Sequence, residues 1–369
     1  MPRYELETLE LRGTPAEMGR QQGQHFGRKL HDFVEMRLAA ARDYLGDRKG
    51  PQVDALFECG RRCYEALRAW DAAAIAEHEA MCGAAGVDAI AVHTAANMTD
   101  IRDVLLLSGA GPATTTLPAD AEGCTAVLVP AARSRDGAVI AGQTWDLNPG
   151  DLDYVIALHR LPADGLESWT VTVTGAPTLM GMNAAGLAVG TTNIKTWRSR
   201  PGVGYVHLLQ RALRCRSRAE AQAAITNAPR AGAHTYWLAD AEGTLELEAT
   251  PFAVELRHNH GEALCRTNHC IAPSHALLEG EAPTPSSLAR LARARHVTGT
   301  SHLDVERLQA LFADRSDGVH SINRYPEDQQ GTATDAVMIA VPERLELHGC
   351  RGPADRGIWR RLPFVTVAR

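Results

Sequence analysis

Glu122-Gly123-Cys124-Thr125, followed by the apolar run Ala126-Val127-Leu128-Val129, is the stretch on which the fold turns. The run reads as a buried strand. It marks the change from a helical N-terminal third to a succession of short strands. Glycine adopts backbone conformations that other residues resist, so Gly123-Cys124 can hold a strained peptide bond. A Cys at the mouth of a rigid strand can present its sulfur to a substrate. Were the Gly123–Cys124 bond cut, Cys124 would carry both a thiol and an α-amine. Such an amine titrates at about 7.7–8.0 and a thiol at about 8.5, so the amine can act as local base. Taken alone, the tetrapeptide favours the plainer reading, one more small buried hydrophobe, the usual state of a free cysteine.

Working outward, the segment before Cys124 is helical in pattern. Thr14 serves as N-cap, Pro15 sits at the first helical position and Glu17 completes a capping box. Gly19 and Gly23 share one helix face and permit close packing. Helical spacing continues to about residue 110, and a Gly/Thr/Pro-rich loop over 109–118 is the best linker. After Cys124 the period changes to that of strands, over 124–130, 138–145, 154–159, 169–174, 186–193, 235–240, 245–248, 253–258, 337–341 and 344–348. Asp136-Gly137 signals a hairpin between the first two. Helices are predicted over 205–225, 287–297 and 304–312. Helices, then strands, then helices, then strands suit an α+β fold: two stacked antiparallel sheets covered by helices, a four-layer αββα sandwich.

Composition narrows the class of function. The chain has 369 residues, 45% hydrophobic and 22% charged, ordinary values for a soluble globular enzyme. A net charge of −6 gives no reason to expect nucleic acid or an anionic membrane as partner. The N-terminus lacks a secretory h-region and no apolar run is long enough to span a membrane, so a cytoplasmic protein is expected. Cys59, Cys63, Cys82, Cys124, Cys215, Cys265, Cys270 and Cys350 form no CxxC pair. They read as free thiols, neither a disulfide framework nor a zinc site. No metal and no cofactor is called for.

Several strand ends carry residues able to serve Cys124. Gly142-Gln143-Thr144-Trp145-Asp146 closes the second predicted strand, and the hairpin would return Asp146 beside the nucleophile. Asn193 ends the strand that follows the Asn183–Gly186 turn. Asn268, in Arg266-Thr267-Asn268-His269-Cys270, is a second amide placed to donate to an oxyanion. His269 is a general base for Cys124 if the chain stays whole. Arg324, in Ser321-Ile322-Asn323-Arg324-Tyr325, would stabilise a thiolate. Each signal also has a structural reading: a turn Asp, a strand-closing Asn, a satisfied His, a surface Arg.

The order and spacing of these signals resemble the acyl-coenzyme A:6-aminopenicillanic acid acyltransferase family (peptidase family C45), within the N-terminal nucleophile hydrolases. The matching features are Arg12-Gly13-Thr14-Pro15-x-Glu17-x-Gly19-x-x-x-Gly23, Gly123-Cys124-Thr125, Gly142-Gln143-x-Trp145-Asp146, Gly181-x-Asn183-x-x-Gly186, Thr267-Asn268-His269-Cys270 and Ser287-x-x-Arg290-x-x-Arg293.

The resemblance implies a precursor that cuts itself between Gly123 and Cys124. An α chain of 1–123 and a β chain of 124–369 would stay associated as one structural domain. Cys124 would attack a small N-acyl amine or acyl thioester and release the acyl group to water or to an amine. Asp146 would lie at the new amine, Asn268 and Asn193 at the oxyanion, and Arg324 next to the nucleophile. Thr125, Thr144, Trp145, Thr250 and His269 would lend support. The partner expected is a small-molecule substrate, and association with further copies of the chain is left open. Departures exist: Thr144 stands for the Asn of the fungal pattern, Ala126 for a Thr, Thr250 for a Ser, and the peroxisomal terminal tripeptide is missing. Penicillin-making activity is therefore not implied. Two rival readings remain, an unprocessed thiol acyltransferase using Cys124, His269 and Asp146, and a non-catalytic ligand-binding relative.

Overall fold

The computed structural model describes residues 3–47, 53–111 and 123–365. Most of the linker expected over 109–118 lies outside those residues. The chain opens with a strand, β1 (Glu7–Gly13), which is not among the strands expected from the sequence. Helix α1 (Pro15–Asp47) follows, begun by the expected capping box. The Glu17 N–H donates to Thr14 Oγ1 at 3.3 Å, and the Thr14 N–H donates to the Glu17 carboxylate at 2.7 Å. Helices α2 (Val53–Trp70), α3 (Ala72–Ala85), α4 (Ala89–Ala96) and α5 (Met98–Leu107) complete the N-terminal third. The glycine seam of α1 lies on the α3 backbone: a Cβ at Gly19 would collide with the Glu77 carbonyl, and one at Gly23 with that of Met81.

Thirteen further strands follow in chain order: β2 (Gly123–Val129), β3 (Ile140–Leu147), β4 (Val155–Pro162), β5 (Ser168–Val173), β6 (Met180–Asn183), β7 (Ala188–Asn193), β8 (His234–Asp240), β9 (Gly243–Ala249), β10 (Val254–His258), β11 (Leu264–Arg266), β12 (Ala333–Val341), β13 (Glu346–Arg351) and β14 (Arg360–Arg361). They form an eight-stranded sheet, β1-β4-β5-β6-β7-β8-β9-β10, and a six-stranded sheet, β11-β2-β3-β12-β13-β14. Pairing is antiparallel throughout except between β1 and β4. The alternation of β1, Leu9-Glu10-Leu11-Arg12, is short and runs straight into the capping box of α1, which masks it in a reading by period.

Alternation along β2 builds two layers at once. Cys124, Ala126 and Leu128 face the core shared with the large sheet. Val127 and Val129 face the opposite way, into a second core with Leu291, Ala294, Leu308 and Phe312. Those four residues belong to α9 (Pro285–Thr300) and α10 (Val305–Phe312). On the large sheet, Ile156 and Leu158 of β4 pack with Met18 and Phe26 of α1. Helices α6 (Tyr205–Ala212) and α7 (Arg218–Thr226) cover β7 and β8. The expected αββα layering is therefore what the chain adopts. The single helix predicted over 205–225 is instead two. Ser217 Oγ accepts the Glu220 N–H at 3.2 Å and starts α7 afresh, which the continuous apolar period conceals. A short helix, α8 (Pro273–Ala276), precedes α9.

One side chain ties the sheets together two residues along β2 from Cys124, opposite Ala126. Gln143 of β3 is fully buried. Its amide donates to Thr191 O at 2.9 Å, and its Oε1 accepts the Thr191 N–H at 2.7 Å and the Trp237 Nε1–H at 2.5 Å. Gly190 leaves the space this requires, since a Cβ there would collide with Gln143 and Trp237. The register so fixed brings the end of β7, with Asn193, to the start of β2.

Candidate active site

Gly123 lies opposite Asp146 and Cys124 opposite Trp145 in the β2–β3 ladder, as the hairpin predicts. On its other side β2 pairs with β11 only as far as Ala126. Beyond that point side chains meet the Cys124 backbone. Its N–H donates to Asn268 Oδ1 at 2.7 Å, and its carbonyl accepts from Arg290 Nη1. Asn268 Nδ2 donates to the Asn193 carbonyl at 3.0 Å, so the two asparagines named from the sequence are joined. Cys124, Asp146, Asn193 and Asn268 line one cavity of about 20 Å³, walled in part by Trp145, Leu147, Tyr205 and His234. That is room for about one water molecule.

The N-terminal helices reach this cavity. Thr99 of α5 lines it. The neighbouring Asp100 accepts the Tyr205 N–H at 2.8 Å through Oδ2, and its Oδ1 stands 2.9 Å from His234 Nε2. One carboxylate from the first third of the chain thus orients two wall residues supplied by the rest.

Burial dominates the electrostatics. It pushes the Cys124 thiol up to about 12, with the Asp146 charge adding to the rise. The backbone N–H groups of Asp146 and Asn193 and the Arg290 charge pull the other way. Burial likewise raises the Asp146 carboxyl to about 6, against the pull of Arg290, Arg324 and the Thr334 and Thr144 hydroxyls. Among the described residues neither Asp146 oxygen accepts a well-formed hydrogen bond. Arg324 donates to Ser286 Oγ at 2.8 Å and to Thr332 Oγ1 at 2.5 Å. It closes on the residue before the nucleophile: a Cβ built on Gly123 would stand 2.8 Å from Arg324 Nη1 and 2.9 Å from Asp146 Oδ2. The Thr125 N–H donates to Thr144 Oγ1 at 3.1 Å, and Thr125 Oγ1 accepts from Arg290 at 3.0 Å.

Two residues named from the sequence are not brought in. His269 Nδ1 stands 2.8 Å from Ser287 Oγ, and His269 does not line the Cys124 cavity. Burial and the Arg266, Arg290 and Arg295 charges depress its pKa to about 4, which makes it a poor base. Thr250 closes the β9–β10 turn, its Oγ1 accepting from the Phe252 and Ala253 N–H groups at 3.3 and 3.0 Å. The ladder sets Ala249 level with His234 and Asn193, so Thr250 stands at the same end of the sheet as the site but two strands away from Asn193.

Two others were missed as site residues. Arg290 is fully buried yet sits on a helix, where an Arg ordinarily reads as solvated; the Ser287-x-x-Arg290-x-x-Arg293 pattern was the available signal, though it assigned no role. Asp335 stands at an irregularity in the β12–β3 register, and its Oδ2 accepts the Leu147 N–H at 3.1 Å. A bulge beside a site re-aims a side chain, and no sequence period reveals one.

The fold stacks two sheets with a cysteine at the start of an inner strand. Residues 133–344, more than half of the chain, match the family of acyl-coenzyme A:6-aminopenicillanic acid acyl-transferase, and the chain belongs to that family. The matched span takes in Asp146, Asn193, Asn268, Arg290 and Arg324 and begins after Cys124. Among solved structures, the Caenorhabditis elegans ortholog of N-acylethanolamine-hydrolyzing acid amidase is similar at 12% identity and a TM-score of 0.46, over 65% of this chain and 100% of that one. Penicillin V acylase from Agrobacterium tumefaciens is similar at 14% and 0.42, over 62% and 83%. A mutant form of conjugated bile acid hydrolase from Clostridium perfringens is similar at 11% and 0.38, over 67% and 99%. No curated protein matches. Among the described residues no helix is long and apolar enough to cross a membrane.

Proposed function

We propose that the chain is a self-processing cysteine hydrolase or acyltransferase that takes the acyl group of a small N-acyl amine or acyl thioester onto Cys124. The observation that carries this reading is the meeting of the Cys124 nitrogen, Asp146, Asn193 and Asn268 around one buried thiol. In processing, Sγ attacks the Gly123 carbonyl carbon and the thiol proton passes to Asp146. The C–N bond breaks, and the leaving nitrogen takes up a proton to become the α-amine of Cys124. Water then hydrolyses the Gly123 thioester to a carboxylate and a free thiol. The products are 1–123 and 124–369. They remain one domain because their apolar residues share a core: Leu30 and Phe33 of α1 belong with Val171 and Val173 of β5.

In turnover the thiol attacks the substrate carbonyl with its own amine as base. Amide N–H groups of Asn268 and Asn193 receive the oxyanion, and Asp146 holds the amine. The acyl-Cys124 intermediate passes its acyl group to water or to an amine. Trp145, Leu147 and Tyr205 supply the apolar wall that an acyl group would meet beside Cys124. The intact-chain route through His269 loses support from its bond to Ser287.

Denaturing intact-mass measurement of the wild type beside Cys124→Ala tests the reading. Two wild-type species, the heavier beginning at Cys124, and one full-length species from the variant are expected. A wild type that stays full-length but is active on model amides would overturn self-processing, and one that is also inert would overturn the enzyme.

A further inference from the structure

We propose that Arg290 is a positioning residue: its guanidinium, together with Asn268, stands where the strand beyond β11 is missing, and fixes which end of the Asn268 amide faces the nucleophile. The proposal rests on the reading of Cys124 as nucleophile.

The argument begins with the sheet. β11 ends opposite Ala126, so among the described residues no strand meets the Cys124 N–H and C=O. In a continued ladder a neighbouring strand would supply one acceptor and one donor there. Asn268 Oδ1 supplies the acceptor and Arg290 Nη1 the donor. A backbone carbonyl could not release or re-aim that nitrogen; a side-chain amide can follow it from peptide N–H to amine.

The chemistry of the two side chains then fixes the orientation. Arginine only donates, whereas an asparagine amide presents an acceptor at one end and two donor hydrogens at the other. Arg290 Nη2 approaches Asn268 at 2.9 Å, and the Cys124 N–H approaches the same atom at 2.7 Å. Two donors converge, so the atom between them must be oxygen. Nδ2 is thereby turned away, toward the Asn193 carbonyl, which takes one of its hydrogens and leaves the other for a substrate oxygen. With a neutral amide in place of Arg290, the Asn268 amide loses one of the two donors that define its orientation.

Every hydrogen-bond partner recorded for the buried Arg290 guanidinium belongs to this site: the Cys124 carbonyl, Thr125 Oγ1, Asn268 Oδ1 and Ser286 Oγ. Among the described residues no carboxylate lies within ion-pair distance of it. Burying such a cation is costly and packing alone does not call for it. Its helix clamps the other face of the same loop: Ser287 Oγ accepts the Asn268 N–H at 2.9 Å, and Thr284 caps α9 just before.

The test uses the full chain as Arg290→Gln and Arg290→Lys, each checked by its melting curve. Processing is followed by intact mass. Acylation of the processed fraction is followed by the nitrophenolate burst with p-nitrophenyl acetate. Arg290→Gln is expected to slow both about 100-fold, the scale of losing one oriented oxyanion donor. It should also move the acid limb of processing to higher pH, because a cation is lost beside Asp146. Arg290→Lys keeps the charge and loses the fork, so it should restore the limb but not the rates. Wild-type rates and limb in Arg290→Gln would overturn the proposal. Should that variant fail to fold, wild-type rates in Arg290→Lys would do so. A wild-type chain that neither processes nor gives a burst refutes the nucleophile reading instead, and the two failures are thereby told apart.

Discussion

Replacing Asp146 with Asn should make the protein more stable while abolishing its processing, and the two effects come from one buried charge. The carboxyl is raised from 3.8 to about 6 chiefly by burial. At about 1.4 kcal/mol per tenfold, keeping it ionised costs the fold on the order of 3 kcal/mol. The sign follows from proton binding. Between the unfolded value near 3.8 and the folded value near 6 the native state holds more protons, so stability falls as pH rises through that window. Above pH ~6 the full penalty applies, and below ~3.8 it is absent. Asn has no charge to bury, so the gain should be present at pH 8 and vanish toward pH 4. The measurement compares melting of Cys124→Ala with Cys124→Ala/Asp146→Asn at both pH values, a background in which neither protein can process. A rise of a few degrees at pH 8, shrinking on acidification, is expected for a chain of this size. In the Cys124 chain, Asp146→Asn should stay full-length by intact mass. A lower melting temperature at pH 8, or a gain independent of pH, would refute the assignment of a penalised, ionised carboxylate.

Gly123→Ala must find room for a methyl between Arg324 and Asp146, at the cost of about 1–3 kcal/mol of overpacking. Processing should slow at least roughly tenfold by that strain, which a time course of intact mass will show. His269→Ala should process and acylate within a few-fold of wild type while losing about 1 kcal/mol of stability with the Ser287 hydrogen bond; a chain that stays whole but loses all acylation would restore the intact-chain mechanism. Gln143→Leu strips partners from the Thr191 N–H and C=O and the Trp237 Nε1–H. At about 1–3 kcal/mol for each orphaned group, it should lower denaturant stability by several kcal/mol even in the Cys124→Ala background.

How much the sequence discloses depends on whether the deciding interaction is local. The β2–β3 hairpin is legible because alternation and the Asp-Gly turn fix its register, and register alone carries Asp146 to Gly123. The capping box of α1 is legible because it spans four residues. Asn268 is legible only as a residue type at a strand end, and its contact with Cys124 depends on where β11 stops. Arg290 is legible as part of the Ser287-x-x-Arg290 pattern but its role is not, because the sequence shows a helical arginine and not the buried oxygens gathered around it. His269 misleads because it adjoins Asn268 while its ring turns to Ser287, and Thr250 because it shares the sheet end of Asn193 but lies two strands to the side.

On the proposed reading the same atoms serve two reactions, and the cut changes what each can do. In the intact chain the Cys124 nitrogen is a peptide N–H that donates to Asn268, with no lone pair to offer as base. The thiol, pushed up to about 12, holds its proton at neutral pH. Asp146, at about 6, is the ionised carboxylate beside it. The first reaction therefore draws its base from the side chain. After the cut, an amine titrating near 7.7–8.0 stands at the same point, and Asn268 Oδ1 remains to accept from it. An ammonium there favours the ionised form of Asp146, which then anchors the group that has replaced it as base. Burial, which keeps the proton on the thiol, thus makes each reaction depend on a neighbouring base. On this reading that base is the Asp146 carboxylate before the cut and the amine after it, and the cut hands the role from one to the other.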